Sequence, residues 1–94
     1  MRYSTTVAPI TEEQVLGAFR AIIRNQEAPA LNWAVNYASA GLHHPYKGGA
    51  MTGEELYTQV LYTLNNISRW RGELATEVRN ILKQFVKENK RRQW

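Results

Sequence analysis

The sequence predicts an all-α fold, a small bundle of about four helices with one longer loop. Apolar residues recur every three or four positions over most of the chain, and two segments begin with a Thr-x-x-Gln/Glu capping pattern. Apolar and polar residues nowhere alternate over the length of a strand. With 94 residues, 44% hydrophobic and 21% charged, the chain is expected to form a single domain around one modest core.

The two ends of the chain differ from its middle. Residues 1–10 are polar and end near Pro9, so they are predicted to be a flexible N-terminal arm. Residues 90–94 form a basic tail that is expected to fray. The single helical domain is therefore predicted over residues 11–89.

Helix one is predicted over residues 12–26. Thr11 and Gln14 have the spacing of a capping box, and Glu12 and Glu13 lie where the helix dipole favours negative charge. The predicted apolar face consists of Val15, Leu16, Phe19, Ile22 and Ile23.

Helix two is predicted over residues 29–40. Pro29 suits a first helical turn, and Gly41 is expected to stop the helix at its C-terminal end. The apolar stripe is Leu31, Ala34, Val35 and Ala38. Residues 41–51 contain Pro, Gly-Gly and no periodicity, which predicts the longest internal loop.

Helix three is predicted over residues 53–70. Thr52 and Glu55 repeat the capping-box spacing, and Gly72 is expected to break the helix after Trp70. The predicted buried stripe is Leu56, Val60, Leu64 and Ile67, widened by Tyr57 and Leu61.

Helix four is predicted over residues 73–89. Its apolar face consists of Leu74, Val78, Ile81, Leu82 and Phe85. The short turn before it suggests a helix-turn-helix, but Glu73 and Glu77 would repel phosphates at the end that enters a DNA groove. An αα-hairpin is the preferred interpretation.

The positive charge is concentrated in the last quarter of the chain. Residues 1–68 contain four basic and five acidic residues, whereas residues 69–94 contain eight basic and three acidic residues. Six of these basic residues are predicted to form an exposed stripe and tail: Arg79, Lys83, Lys87, Lys90, Arg91 and Arg92. Such a row suits nucleic-acid phosphates or an acidic protein surface, or it is simply a solvated helix face.

Most aromatic side chains carry a polar tip, with five Tyr and three Trp against two Phe. Such side chains suit surfaces that are apolar at one end and wet at the other, including binding interfaces. The alternative is that they cover the rim of a thin core. The candidates for a partner-binding face are Trp33, Tyr37, Tyr46, Tyr57 and Tyr62.

The sequence predicts no catalytic residues, no metal site and no cofactor. The chain has no Cys and no Asp, and its two histidines, His43 and His44, lack a third ligand at a recognisable spacing. No serine lies in a nucleophile elbow, and Gly48-Gly49 is not followed by the Lys of a phosphate-binding loop. We therefore expect a protein that is not an enzyme and has no small-molecule substrate.

The leading functional prediction is a helical protein-interaction module that binds another protein or itself. Adaptors, inhibitors and oligomeric accessory proteins of the phage or mobile-element type share this small, basic, cysteine-free composition. The alternative is a nucleic-acid-binding accessory protein that contacts phosphates through its C-terminal helix. No apolar run approaches the roughly 20 residues needed to cross a bilayer, so no membrane contact and a cytoplasmic location are expected.

Overall fold

The computed structural model of the protein describes residues 9–90. Over that range the chain forms four α-helices and one short 3-10 helix, with no strand, which confirms the predicted all-α fold. Residues 1–8 of the predicted arm and residues 91–94 of the predicted tail lie outside the described range. The helices are α1 (Glu12–Arg24), α2 (Asn32–Leu42), α3 (Gly53–Asn65) and α4 (Glu73–Asn89), and the 3-10 helix is Pro29–Leu31.

The four helices pack in chain order around one core. Each helix contacts the next, and α1 also packs on α4, which closes the ring. Removing these apolar side chains from water is the main force that holds the bundle together. The largest fully buried apolar side chains are Val15, Phe19, Ile22, Leu31, Leu56, Val60, Ile67, Val78 and Leu82.

Helix α1 begins as the capping box predicts. The backbone N–H of Gln14 donates to Thr11 Oγ1 over 3.1 Å, and the N–H of Thr11 donates to Gln14 Oε1 over 2.8 Å. The helix ends at Arg24, two residues earlier than predicted, and the side-chain amide of Asn25 donates to the carbonyl of Ala21. The N–H of Ile10 donates to the Glu88 carboxylate over 2.8 Å, so this end of the predicted arm contacts α4.

The predicted stop at Gly41 is wrong, because α2 continues through it to Leu42. Gly41 is buried, and a Cβ atom built on it would lie 2.7 Å from Cδ2 of the Phe19 ring. The position therefore needs glycine for its small size, since the ring occupies the space that any larger side chain would take. The start of the predicted helix also differs, because the turn at Pro29 is a 3-10 helix.

Helix α3 is shorter than predicted and starts without the expected capping box. Thr52 makes no side-chain capping bond, and the N–H of Gly53 instead donates to the Glu12 carboxylate of α1 over 3.0 Å. The helix ends at Asn65, and the chain turns before Trp70, whose N–H donates to the carbonyl of Ile67 over 3.0 Å. Ile67 and Trp70 are buried from this turn rather than from a helix.

The buried face of α4 is rotated from its predicted position. Leu74 is 40% exposed, whereas Ala75 is only 1% exposed and takes its place in the core. At about 100° per residue, the observed buried face is centred roughly 35° from the predicted one, in the direction of Arg79. Leu61, predicted to widen the buried stripe of α3, is also exposed.

Candidate functional site

A long segment without any charged side chain forms one surface of the bundle. Residues 28–46, 19 in all, contain no Asp, Glu, Lys or Arg, and this segment includes the whole of α2. Ala34 and Ala38 turn one side of α2 into the core. The opposite side is exposed and carries Trp33, which is 67% accessible, and Asn36.

Helix α3 extends this surface on one side of α2. The rings of Tyr37 and Tyr62 lie 5.5 Å apart, and the buried Gln59 donates its amide to the carbonyl of Tyr37 over 2.9 Å. Trp33 shares a shallow groove of about 330 Å³ with Asn65, Asn66 and the charged Arg69, which follows α3. We call this surface the α2–α3 face, and it consists of Asn32, Trp33, Asn36, Tyr37, Tyr62, Asn65 and Asn66.

The structure divides the five aromatic residues that the sequence suggested as one binding face. Trp33, Tyr37 and Tyr62 come together on the α2–α3 face, where Tyr62 is 49% exposed. Tyr46 lies in the loop after α2, with its ring centre 6.1 Å from that of His44. Tyr57 is half-buried against the core. It lies five positions before Tyr62 on α3, which places the two side chains roughly 140° apart around the helix axis.

The loop after α2 is organised around the His44 side chain, which is only 10% exposed. Its Nδ1 accepts the backbone N–H groups of Tyr46 and Lys47 over 3.1 and 3.2 Å. The ring proton must therefore lie on Nε2, which donates to Glu55 Oε2 over 3.1 Å. Both ring nitrogens are thus used inside the protein, and His43 beside it is exposed.

Glu55 joins this loop to α3 instead of capping its own helix. Lys47 Nζ lies 3.0 Å from the carboxylate oxygen that also accepts from His44. The hydrogen bond from Lys47, followed by that from His44, lowers the pKa of the Glu55 carboxyl group from its ordinary value of 4.5. Within residues 9–90, no three or more His, Asp or Glu side chains are grouped so that they could hold a metal ion.

The predicted basic stripe is only partly exposed. Lys83 and Lys87 are exposed on α4 and Lys90 is exposed directly after it, and none of the three forms a salt bridge with a described residue. We call these three residues the lysine row. Arg91 and Arg92, which were predicted to extend it, lie outside the described residues.

The prediction that Arg79 points into solvent is wrong. Its guanidinium group is half-buried and donates to the carbonyls of Ile67 and Trp70 over 3.2 and 2.6 Å. These carbonyls belong to the turn between α3 and α4, so Arg79 holds that turn against the helix that follows it. The rotation of α4 brings Arg79 to the edge of the core and makes this contact possible.

The lack of charged side chains over residues 28–46 is a signal for this surface that the sequence alone contains. This segment includes Asn32 and Asn36, whose amide side chains are exposed. Asn65 and Asn66 had no comparable signal, because only the packing of α3 on α2 brings them beside Trp33.

No protein-family model matches this chain, and no curated protein or solved structure matches it either. None of the helices formed by residues 9–90 is both long enough and apolar enough to cross a membrane. The α2–α3 face and the lysine row are the two candidate binding surfaces of the described residues.

Proposed function

We propose that this protein is a non-enzymatic protein-interaction module that docks a protein partner on its α2–α3 face. The observation that carries the proposal is an uncharged surface helix that exposes a tryptophan. The centres of protein interfaces are depleted in charged residues and enriched in Trp and Tyr. An adaptor, an inhibitor and an oligomeric accessory protein would each use such a face.

Trp33 is the anchor of the proposed contact. Two thirds of a tryptophan side chain is about 170 Å², and at about 25 cal/mol per Å² its burial would contribute about 4 kcal/mol. Ordering one side chain at an interface costs roughly 0.5–1.5 kcal/mol, so most of this gain remains. Tyr37 and Tyr62 already contact each other, which reduces the ordering cost of their rings.

Affinity capture with matched variants tests this function. The tagged wild-type protein and its W33A and L74A variants are each incubated with nuclease-treated extract of the source cells, and the retained proteins are quantified. Leu74 is a suitable control because it is an exposed apolar residue on α4, outside the α2–α3 face. We expect wild type and L74A to retain the same proteins, and W33A to lose at least nine tenths of them. Equal retention by all three variants would contradict the proposal.

The lysine row supports a second candidate function, binding to nucleic-acid phosphates. Three exposed lysines, none of them paired with a residue in the range 9–90, can each displace a counterion from a phosphate. Three such contacts with duplex DNA predict a log–log dependence of affinity on salt with a slope of about −3.

Fluorescence anisotropy with labelled duplex and single-stranded oligonucleotides at 50–200 mM salt tests this candidate. We expect K83E/K87E to abolish any binding, while W33A binds as the wild type does. The absence of binding to either oligonucleotide at the lowest salt concentration would exclude this function.

A further inference from the structure

The polar groups that define the α2–α3 face can each both donate and accept a hydrogen bond, whereas Arg69, which lines the groove beside Trp33, can only donate. Asn32, Asn36, Asn65 and Asn66 carry primary amides, and Tyr62 carries a hydroxyl group. An amide can pair with another amide, and a phenol with another phenol, without any change in protonation. A carboxylate or an ammonium group cannot pair with its own kind in this way.

This property matters at a twofold axis, where residues of one surface meet the same residues of a second copy. A charged residue near the axis would meet its own charge, and like charges in an interface are unfavourable. We propose that the α2–α3 face docks a second copy of this chain, with the two α2 helices crossing near a twofold axis. This inference rests on the proposed function and names the partner.

The distribution of charge over the other helices favours this occupant. Helix α4 carries six charged residues, α1 carries four and α3 carries two in its first turn, whereas α2 carries none. The chain has a net charge of +4, so two copies repel each other at long range. Contact through an uncharged helix keeps the lysine rows at a distance, where salt screens the repulsion beyond about 10 Å.

The size of the face sets the expected affinity. An 11-residue helix is about 16 Å long, and the adjoining residues of α3 widen the surface by one helix. This is small beside the roughly 800 Å² that each partner contributes to a standard interface. Interfaces below the standard size are typical of weak, transient contacts, so we expect a dimer that forms reversibly.

Asn36 provides the sharpest test. It lies near the middle of α2, on the side opposite Ala34 and Ala38, so its side chain is expected near the axis. The N36D variant places two like charges there. The matched control is N80D, which makes the same change at an exposed position of α4.

Sedimentation equilibrium between 5 and 500 µM measures self-association of wild type, N36D, N80D and W33A. We expect N36D and W33A to raise the Kd at least tenfold, and N80D to change it less than twofold. An equimolar mixture of N36D and N36K should associate more tightly than either variant alone, because opposite charges then meet near the axis. Circular dichroism of each variant checks that the helices remain folded.

Two results would overturn the inference. One is a wild-type protein that stays monomeric up to 500 µM, and the other is a dimer that N36D and W33A leave unchanged. Failure of the proposed function is read separately, from the capture experiment with W33A and L74A. If W33A fails to capture proteins that the wild type retains, and the wild type is monomeric, the docking face stands and its partner is a different protein.

Discussion

Two glycines that lie inside helices should respond in opposite directions to the same substitution. Replacing a helical glycine with alanine stabilises the folded state by roughly 0.5–1 kcal/mol, because alanine has less backbone freedom to lose on folding. At Gly17 a new Cβ atom meets nothing within 4 Å, so G17A should stabilise the protein by that amount. At Gly41 the new Cβ atom would lie 2.7 Å from Cδ2 of Phe19 and 3.5 Å from Cγ of Gln59.

The Phe19 ring is fully buried, so it can move away from the new Cβ atom only within the core, where side chains are closely packed. Overpacking of this kind costs about 1–3 kcal/mol, which exceeds the helical gain at a position next to the end of α2. We therefore expect G41A to be destabilised by about 0.5–2 kcal/mol.

Urea and thermal unfolding of the two variants measure this difference. For a domain of this size, 1 kcal/mol corresponds to about 4–8 °C in Tm. The Tm should therefore rise by several degrees in G17A and fall by several degrees in G41A. The cost of G41A should be smaller in an F19L background than in the wild type, because F19L removes the ring that the new methyl group meets. A G41A variant as stable as G17A would refute the packing that we describe for α1 and α2.

Two further predictions concern contacts between the helices and their loops. R79M removes a charged donor from two carbonyls of the α3–α4 turn, so urea unfolding should show a loss of about 1.5–3 kcal/mol. K83M, a matched change on the exposed side of α4, should stay within about 0.5 kcal/mol of wild type, and equal losses in both variants would contradict the role of Arg79. The lowered pKa of Glu55 stabilises the folded state fully above pH 4.5, and this contribution disappears as the pH falls through the lower, folded-state pKa. E55Q should therefore be less stable than wild type at pH 7, and the difference should shrink below pH 4.5 in chemical unfolding curves. A gap between the two proteins that does not depend on pH would contradict this assignment.

The helices could be predicted from the sequence because their signals are local. The capping box at Thr11 and the apolar periodicity of α1 and α4 depend on residues within two turns of one another. The same kind of signal failed at Thr52, because the Glu55 carboxylate that would complete the capping box instead accepts hydrogen bonds from His44 and Lys47. It failed at Gly41 as well, where a ring from α1 rather than the backbone conformation requires glycine.

The candidate site was predictable only in part. Its aromatic residues Trp33, Tyr37 and Tyr62 were suggested by residue type, but nothing local separates them from Tyr57 on the other side of α3. Whether the Arg79 side chain is exposed depends on which of two neighbouring residues, Leu74 or Ala75, enters the core. A stripe that begins at either residue has helical spacing, so only the packing of α4 against the other helices decides between them.

The most direct test of the α2–α3 face compares two tryptophans within one molecule. Trp33 is 67% exposed on that face, whereas Trp70 is 8% exposed in the turn before α4. Nitrogen-edited NMR spectra report the indole N–H of each residue while the protein is concentrated from 20 to 500 µM. We predict that the chemical shift of the Trp33 indole N–H changes with protein concentration along a single monomer–dimer binding curve. The chemical shift of the Trp70 indole N–H should stay constant. A Trp33 signal that does not move over this range, or an equal shift of both signals, would contradict self-association through this face.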